Sequence, residues 1–140
     1  MAIAYRENAL SAEDFLRLRH AVGWSGDLEQ IELSLQRGLY NVAALDGEAV
    51  AGMGRLVGDG VMYWYVQDVI VDPAYQGQGI GREIMTRLLA HIKGNSLPRS
   101  NATVGLMSAI GKHPFYEKLG FRVRPNEREG PGMVMQIDNH

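Results

Sequence analysis

A chain of 140 residues with 46% apolar content is long enough to bury one core, while 14 basic against 16 acidic side chains leave no surplus for nucleic acid or anionic lipid. The absence of cysteine excludes disulfides, thiolate-bound metals and a cysteine nucleophile. The first residues show no charged segment followed by an apolar one, and no apolar run reaches about 20 residues. The expectation is therefore a single domain over residues 1–140, cytoplasmic and without a membrane span.

In chain order, residues 3–6 alternate weakly and predict a first strand. Ser11 to Val22 predicts a helix: Ser11-x-x-Asp14 resembles a capping box, Phe15, Leu18 and Val22 share a face, and Gly23 stops it. The loop Gly23-Trp24-Ser25-Gly26 has two readings, a lid over an acceptor pocket or a tryptophan turned back onto the core. A second helix runs from Asp27 to Arg37, with Leu28, Ile31 and Leu35 on one face and Gly38 at its end. Residues 41–45, 49–57 and 61–71 predict an antiparallel meander turning at Asp46-Gly47 and near Asp59-Gly60. After a break at Asp72-Pro73 a third helix follows, with Ile80, Ile84, Leu88 and Ile92 at helical spacing. Residues 102–108 then predict a strand parallel to the one ending at Val71, joined by a right-handed crossover. Pro114 opens a short helix closed by Gly120, and two last strands are expected at 121–124 and 133–137. The order β-α-α-β-β-β-α-β-α-β-β describes an α/β protein with a mixed sheet and helices on both sides.

The stretch from Val66 to Ile92 carries the chemistry. Glycines at 77, 79 and 81 open a helix, where unpaired N–H groups and the helix dipole suit a phosphate or diphosphate. The spacing is not the G-x-G-x-x-G of a Rossmann domain, and no lysine follows as a P-loop requires. Instead, Gln76-Gly77-Gln78-Gly79-Ile80-Gly81, preceded by Val69-Ile70-Val71-Asp72-Pro73 and followed later by Phe115-Tyr116-Glu117-Lys118-Leu119-Gly120-Phe121, resembles the GCN5-related N-acetyltransferase (GNAT) superfamily. The element order resembles that family too.

The resemblance implies acetyl-CoA as cosubstrate. Backbone of Val69, Ile70 and Val71 would pair with the pantetheine arm as an added strand would. The amides of Gly77, Gln78, Gly79, Ile80 and Gly81 would hold the diphosphate, with Gln76 at the loop mouth and Arg82 as a cation or as a partner of Glu83. The Val69 N–H would face the developing oxyanion. Tyr116 matches the tyrosine that protonates the departing thiolate, a fitting exchange between a phenol near pKa ~10 and a thiol near ~8.5; its early place in a helix would ease loss of that proton.

Asp68 is the only carboxylate on the strand before the motif, and Gln67 stands where relatives carry a glutamate. Asp68 is either the base for the amine or a structural acid at a β-bulge, and strand alternation lets only one of the two residues face the cleft. Trp24 and Tyr65, with Tyr63 and the loop 124–132, are candidates for the acceptor pocket. No residue spacing suggests a metal site. The expected activity is direct transfer of acetyl to a primary amine of a small molecule or peptide, without an acetyl-enzyme. The alternatives are an acyl-CoA-binding module without turnover and an unrelated nucleotide-binding α/β domain. A homodimer through the final strand is a further expectation.

Overall fold

The computed structural model describes residues 2–140, which form two compact units, one ending at Leu106 and the other running Met107–His140. In the first unit the elements are β1 (Ala4–Glu7), α1 (Ala12–Ala21), α2 (Leu28–Arg37), β2 (Tyr40–Asp46), β3 (Ala49–Gly58), β4 (Tyr63–Val71), a 3-10 turn (Pro73–Tyr75), α3 (Ile80–Asn95) and β5 (Thr103–Gly105). Helix ends follow local chemistry. Ser11 Oγ accepts from the Asp14 amide at 3.1 Å and Asp27 accepts from the Gln30 amide at 3.0 Å, so each satisfies an orphan donor of the first turn.

The five strands lie in the order β1-β2-β3-β4-β5, antiparallel except for the parallel β4–β5 pair. Successive residues of β3 face opposite layers. Met53 joins Phe15, Leu18, Ile31 and Ile70 in a cluster under α1 and α2. Gly52 and Gly54 face Ile80, Ile84 and Leu88 of α3; a Cβ on Gly54 would stand 2.6 Å from Ile84 Cγ2, so glycine is what lets α3 approach the sheet.

Strand β4 begins at Tyr63 rather than Val61 because Asp59 accepts from the amides of Val61, Met62 and Tyr63, folding those residues into the turn. Parallel pairing with β5 covers only Tyr63 to Tyr65 against Thr103 to Gly105, well short of the strand expected over 102–108. Beyond Tyr65, the outer edge of β4 has no strand beside it within this unit.

In the second unit, α4 (His113–Glu117) forms at the proline as expected. The strands expected at 121–124 and 133–137 do not form. Residues 122–129 close on themselves instead: Arg122 grips both oxygens of Glu129 at 3.1 and 3.0 Å, and Asn126 bonds the same carboxylate at 2.9 Å. Residues 133–137 have strand-like composition, yet Met133, Val134, Met135 and Ile137 are exposed; alternation supplies a face but not the neighbouring backbone that a strand requires. The edge expected to join two copies is therefore not formed.

Candidate active site

The loop that opens α3 is fixed from three sides. Arg17 of α1 donates to the Val50 carbonyl at 2.7 Å and to Asp72 at 3.2 Å; the Tyr75 hydroxyl donates to Asp46 at 2.7 Å; and the Asp72 amide bonds the Ala51 carbonyl at 2.8 Å. Held this way, the chain turns through Gly77 and Gly79, whose φ values of +81° and +80° lie in the left-handed region that glycine adopts without strain. Nothing stands within 4 Å of a Cβ built on either, so conformation and not crowding selects glycine there.

Gly79 caps α3 with no side-chain bond, and among the described residues no protein group accepts from the amides of residues 77–82. Several donors converge on open space at the positive end of a helix of 16 residues. Arg82 is exposed and has no ion pair among the described residues, because Glu83 pairs with Arg87 at 3.3 Å instead. The Gln76 Nε2 donates to the Val71 carbonyl at 3.0 Å, tying the start of the loop to the end of β4.

Next to this loop, β4 carries a bulge. Its register against β3 slips between Met53 and Arg55, so Asp68 and Val69 share the space opposite Gly54, and Asp68 takes a φ of +51°. The bulge undoes simple alternation: Gln67 pairs across from Arg55, and Asp68 reaches the same Arg55, so both residues face the α1 side. Asp68 is buried, and its two oxygens accept from Arg19 Nη1 at 2.6 Å and Arg55 Nε at 3.0 Å. At the bulge its carboxylate is thus anchored by guanidinium groups rather than by backbone.

The two arginines were not anticipated. For Arg55 the available signal was a lone cation inside the otherwise apolar run of β3; Arg19 lies on α1 among other charged residues. Arg19 extends the network by donating from Nε to the Ser25 carbonyl at 2.6 Å and lying 5.6 Å from the centre of the Trp24 ring. Trp24 is thus neither buried in the core nor free; it covers the arginine that holds the bulge. Tyr65 sits at the last β4–β5 pair, half-buried, and that burial raises its phenol above the usual range.

In the second unit, the Tyr116 ring meets Phe115 and Phe121 edge-on at 5.0 and 6.0 Å. Burial pushes its phenol up from the ordinary value, opposite to the direction expected from the helix end, since α4 is only 5 residues long and contributes little dipole. The group keeps its proton at neutral pH. Among the described residues no cluster of three metal-ligating side chains occurs, and no helix is long and apolar enough to cross a membrane.

A mixed sheet split along one strand, beside a glycine-opened helix with unclaimed amides, defines the class of acyl-CoA-type N-acyltransferase folds. Residues 36–123 match the acetyltransferase (GNAT) domain, and the chain belongs to that family. It is similar over 97% of its length to the whole of a probable acetyltransferase of unknown function from meticillin-resistant Staphylococcus aureus, at 30% identity and a TM-score of 0.85. An uncharacterized ycf52-like N-acetyltransferase of Prochlorococcus marinus is 29% identical over 78% of this chain and 61% of its own. A chloroplastic serotonin N-acetyltransferase of Oryza sativa is 37% identical over 60% of this chain and 40% of its own. The chain thus spans less than two thirds of these two curated relatives.

Proposed function

We propose that this protein transfers acetyl from acetyl-CoA directly to a primary amine bound beside it. The observation that carries the reading is the open start of α3, where the amides of residues 77–82 have no acceptor among the described residues, next to an unpaired β4 edge. Acetyl-CoA would supply the activated thioester. The α3 amides and Arg82 would hold its diphosphate, and backbone of Val69, Ile70 and Val71 would line its arm. At the bulge Val69 has no register partner in β3, which supports its N–H as the donor to the thioester oxygen. Tyr116, protonated at neutral pH, would deliver its proton to the leaving sulfur as the new C–N bond forms and the C–S bond breaks.

Asp68 does not serve as base in this reading, because both of its oxygens are held by arginines, and Gln67 carries no charge. The amine would enter in its neutral form and shed its proton to water. With no cysteine in the chain, no acetyl-enzyme is expected.

The test is a screen of primary amines against acetyl-CoA that reads released thiol. Arylethylamines belong in it because one relative is named for serotonin. At least one amine should give turnover, and Tyr116→Phe should lower kcat roughly 10²-fold while CoA affinity is kept. CoA binding with no thiol release from any amine would leave only a silent acyl-CoA-binding module.

A further inference from the structure

A cavity of about 350 Å³ opens on the α1–α2 side of the sheet, away from the α3 loop, and its walls are rich in donors. Arg55 forms part of its floor. Only its Nε is engaged, by Asp68 at 3.0 Å, so the Nη1 and Nη2 fork has no acceptor among the described residues. The guanidinium is fixed in place by the Phe15 ring, 5.3 Å from its carbon, and Nη1 stands 3.8 Å from where a Cβ on the pocket-lining Gly38 would be.

Two asparagines complete the wall. Asn41 Oδ1 accepts from the Leu10 amide at 3.3 Å and Asn8 Oδ1 accepts from the Asn41 amide at 3.0 Å. Those bonds fix which way each amide is turned and leave both Nδ2 groups without an acceptor. Charge points the same way. Arg19 and Arg55 bring two cations to the single carboxylate of Asp68, a surplus of one. Glu7, the acid next to Asn8, is engaged elsewhere, accepting from the hydroxyl of Tyr40, whose ring stacks on His91 of α3.

We propose that this cavity binds a small molecule through a carboxylate, gripped in two-pronged fashion by the free Arg55 fork and bonded by the Asn8 and Asn41 side-chain amides. A planar fork with its remaining donors aligned matches a carboxylate, whose four lone-pair directions would take up those donors. The site lies in the first unit alone and does not depend on acetyl transfer.

Benzoate and benzamide, alike in shape and different in charge, are the probes. Each is titrated into the full ¹⁵N-labelled chain by NMR. Benzoate should move the side-chain NH₂ signals of Asn8 and Asn41 and saturate, at least tenfold more tightly than benzamide. Asn41→Asp keeps the acceptor for the Leu10 amide but replaces a donor by a negative oxygen. It should weaken benzoate at least tenfold without changing the melting temperature, as Arg55→Gln should weaken it by removing the fork. Equal binding of the two probes, no saturation by benzoate, or unchanged benzoate binding to Asn41→Asp would overturn the proposal. Where turnover is available, competition of benzoate with the amine assigns the carboxylate to the acceptor's own tail. Inhibition without competition assigns it to a separate ligand; both patterns uphold the pocket.

Discussion

Asp68 joins a helix, two strands and a loop through one carboxylate. Its partners lie 49 and 13 residues away in sequence, so nothing in the local pattern around Asp68 announces them. The consequence for chemistry is sharp. Asp68→Asn leaves two guanidinium groups beside a neutral amide in a buried site, which should cost about 3 kcal/mol in urea unfolding. A variant that folds as well as the parent but loses turnover would instead make Asp68 the base. The same geometry fixes the pH dependence of the proposed reaction. With both oxygens of Asp68 held by arginines, the amine sheds its proton to water, and kcat/KM should climb with pH until it reaches the amine's own pKa. A plateau near neutrality would reveal a base on the protein. Arg19 ties the Trp24 loop to the bulge, so Arg19→Met should raise the amine KM several-fold and leave CoA affinity intact.

At the scale of the element, α3 does two jobs, and its two ends answer different tests. At its start, Gly77 and Gly79 hold left-handed conformations with open space around them. Alanine at either should cost roughly 1–2 kcal/mol from strain alone and weaken CoA binding, measured by calorimetry. Toward its end, His91 stacks on Tyr40 at 3.8 Å and meets Trp64 edge-on at 5.9 Å. Burial lowers its pKa below the ordinary value, outweighing the pull of Glu7 in the other direction. Between the lowered value and the unfolded one near 6.5, the unfolded chain binds more protons, so this contribution to stability is present above about pH 6.5 and is lost as pH falls through the folded pKa. His91→Phe keeps a ring in the stack and removes the proton; the drop in unfolding free energy from pH 7.5 to 5.5 should shrink relative to the parent.

Across the whole molecule, what could be read from the sequence was whatever is local. The capping residues Ser11 and Asp27, the Asp59 turn and the glycine loop announce themselves within a few residues, and the helices and the meander formed where those marks stand. What could not be read depends on distant partners: the Arg19–Asp68–Arg55 network, the bulge that turns Gln67 and Asp68 to one side, and the absence of strands at 121–124 and 133–137. The motif loop was legible for the same local reason, although the bond from Gln76 Nε2 to the Val71 carbonyl, which ties the loop to β4, was not. In the proposed reaction the α3 amides and the β4 edge together hold acetyl-CoA. Hydrogen exchange of the full chain with and without saturating acetyl-CoA tests it most directly. Strong new protection is expected at residues 77–82 and along Val69 to Val71. Exchange unchanged at those amides in the presence of acetyl-CoA would contradict it.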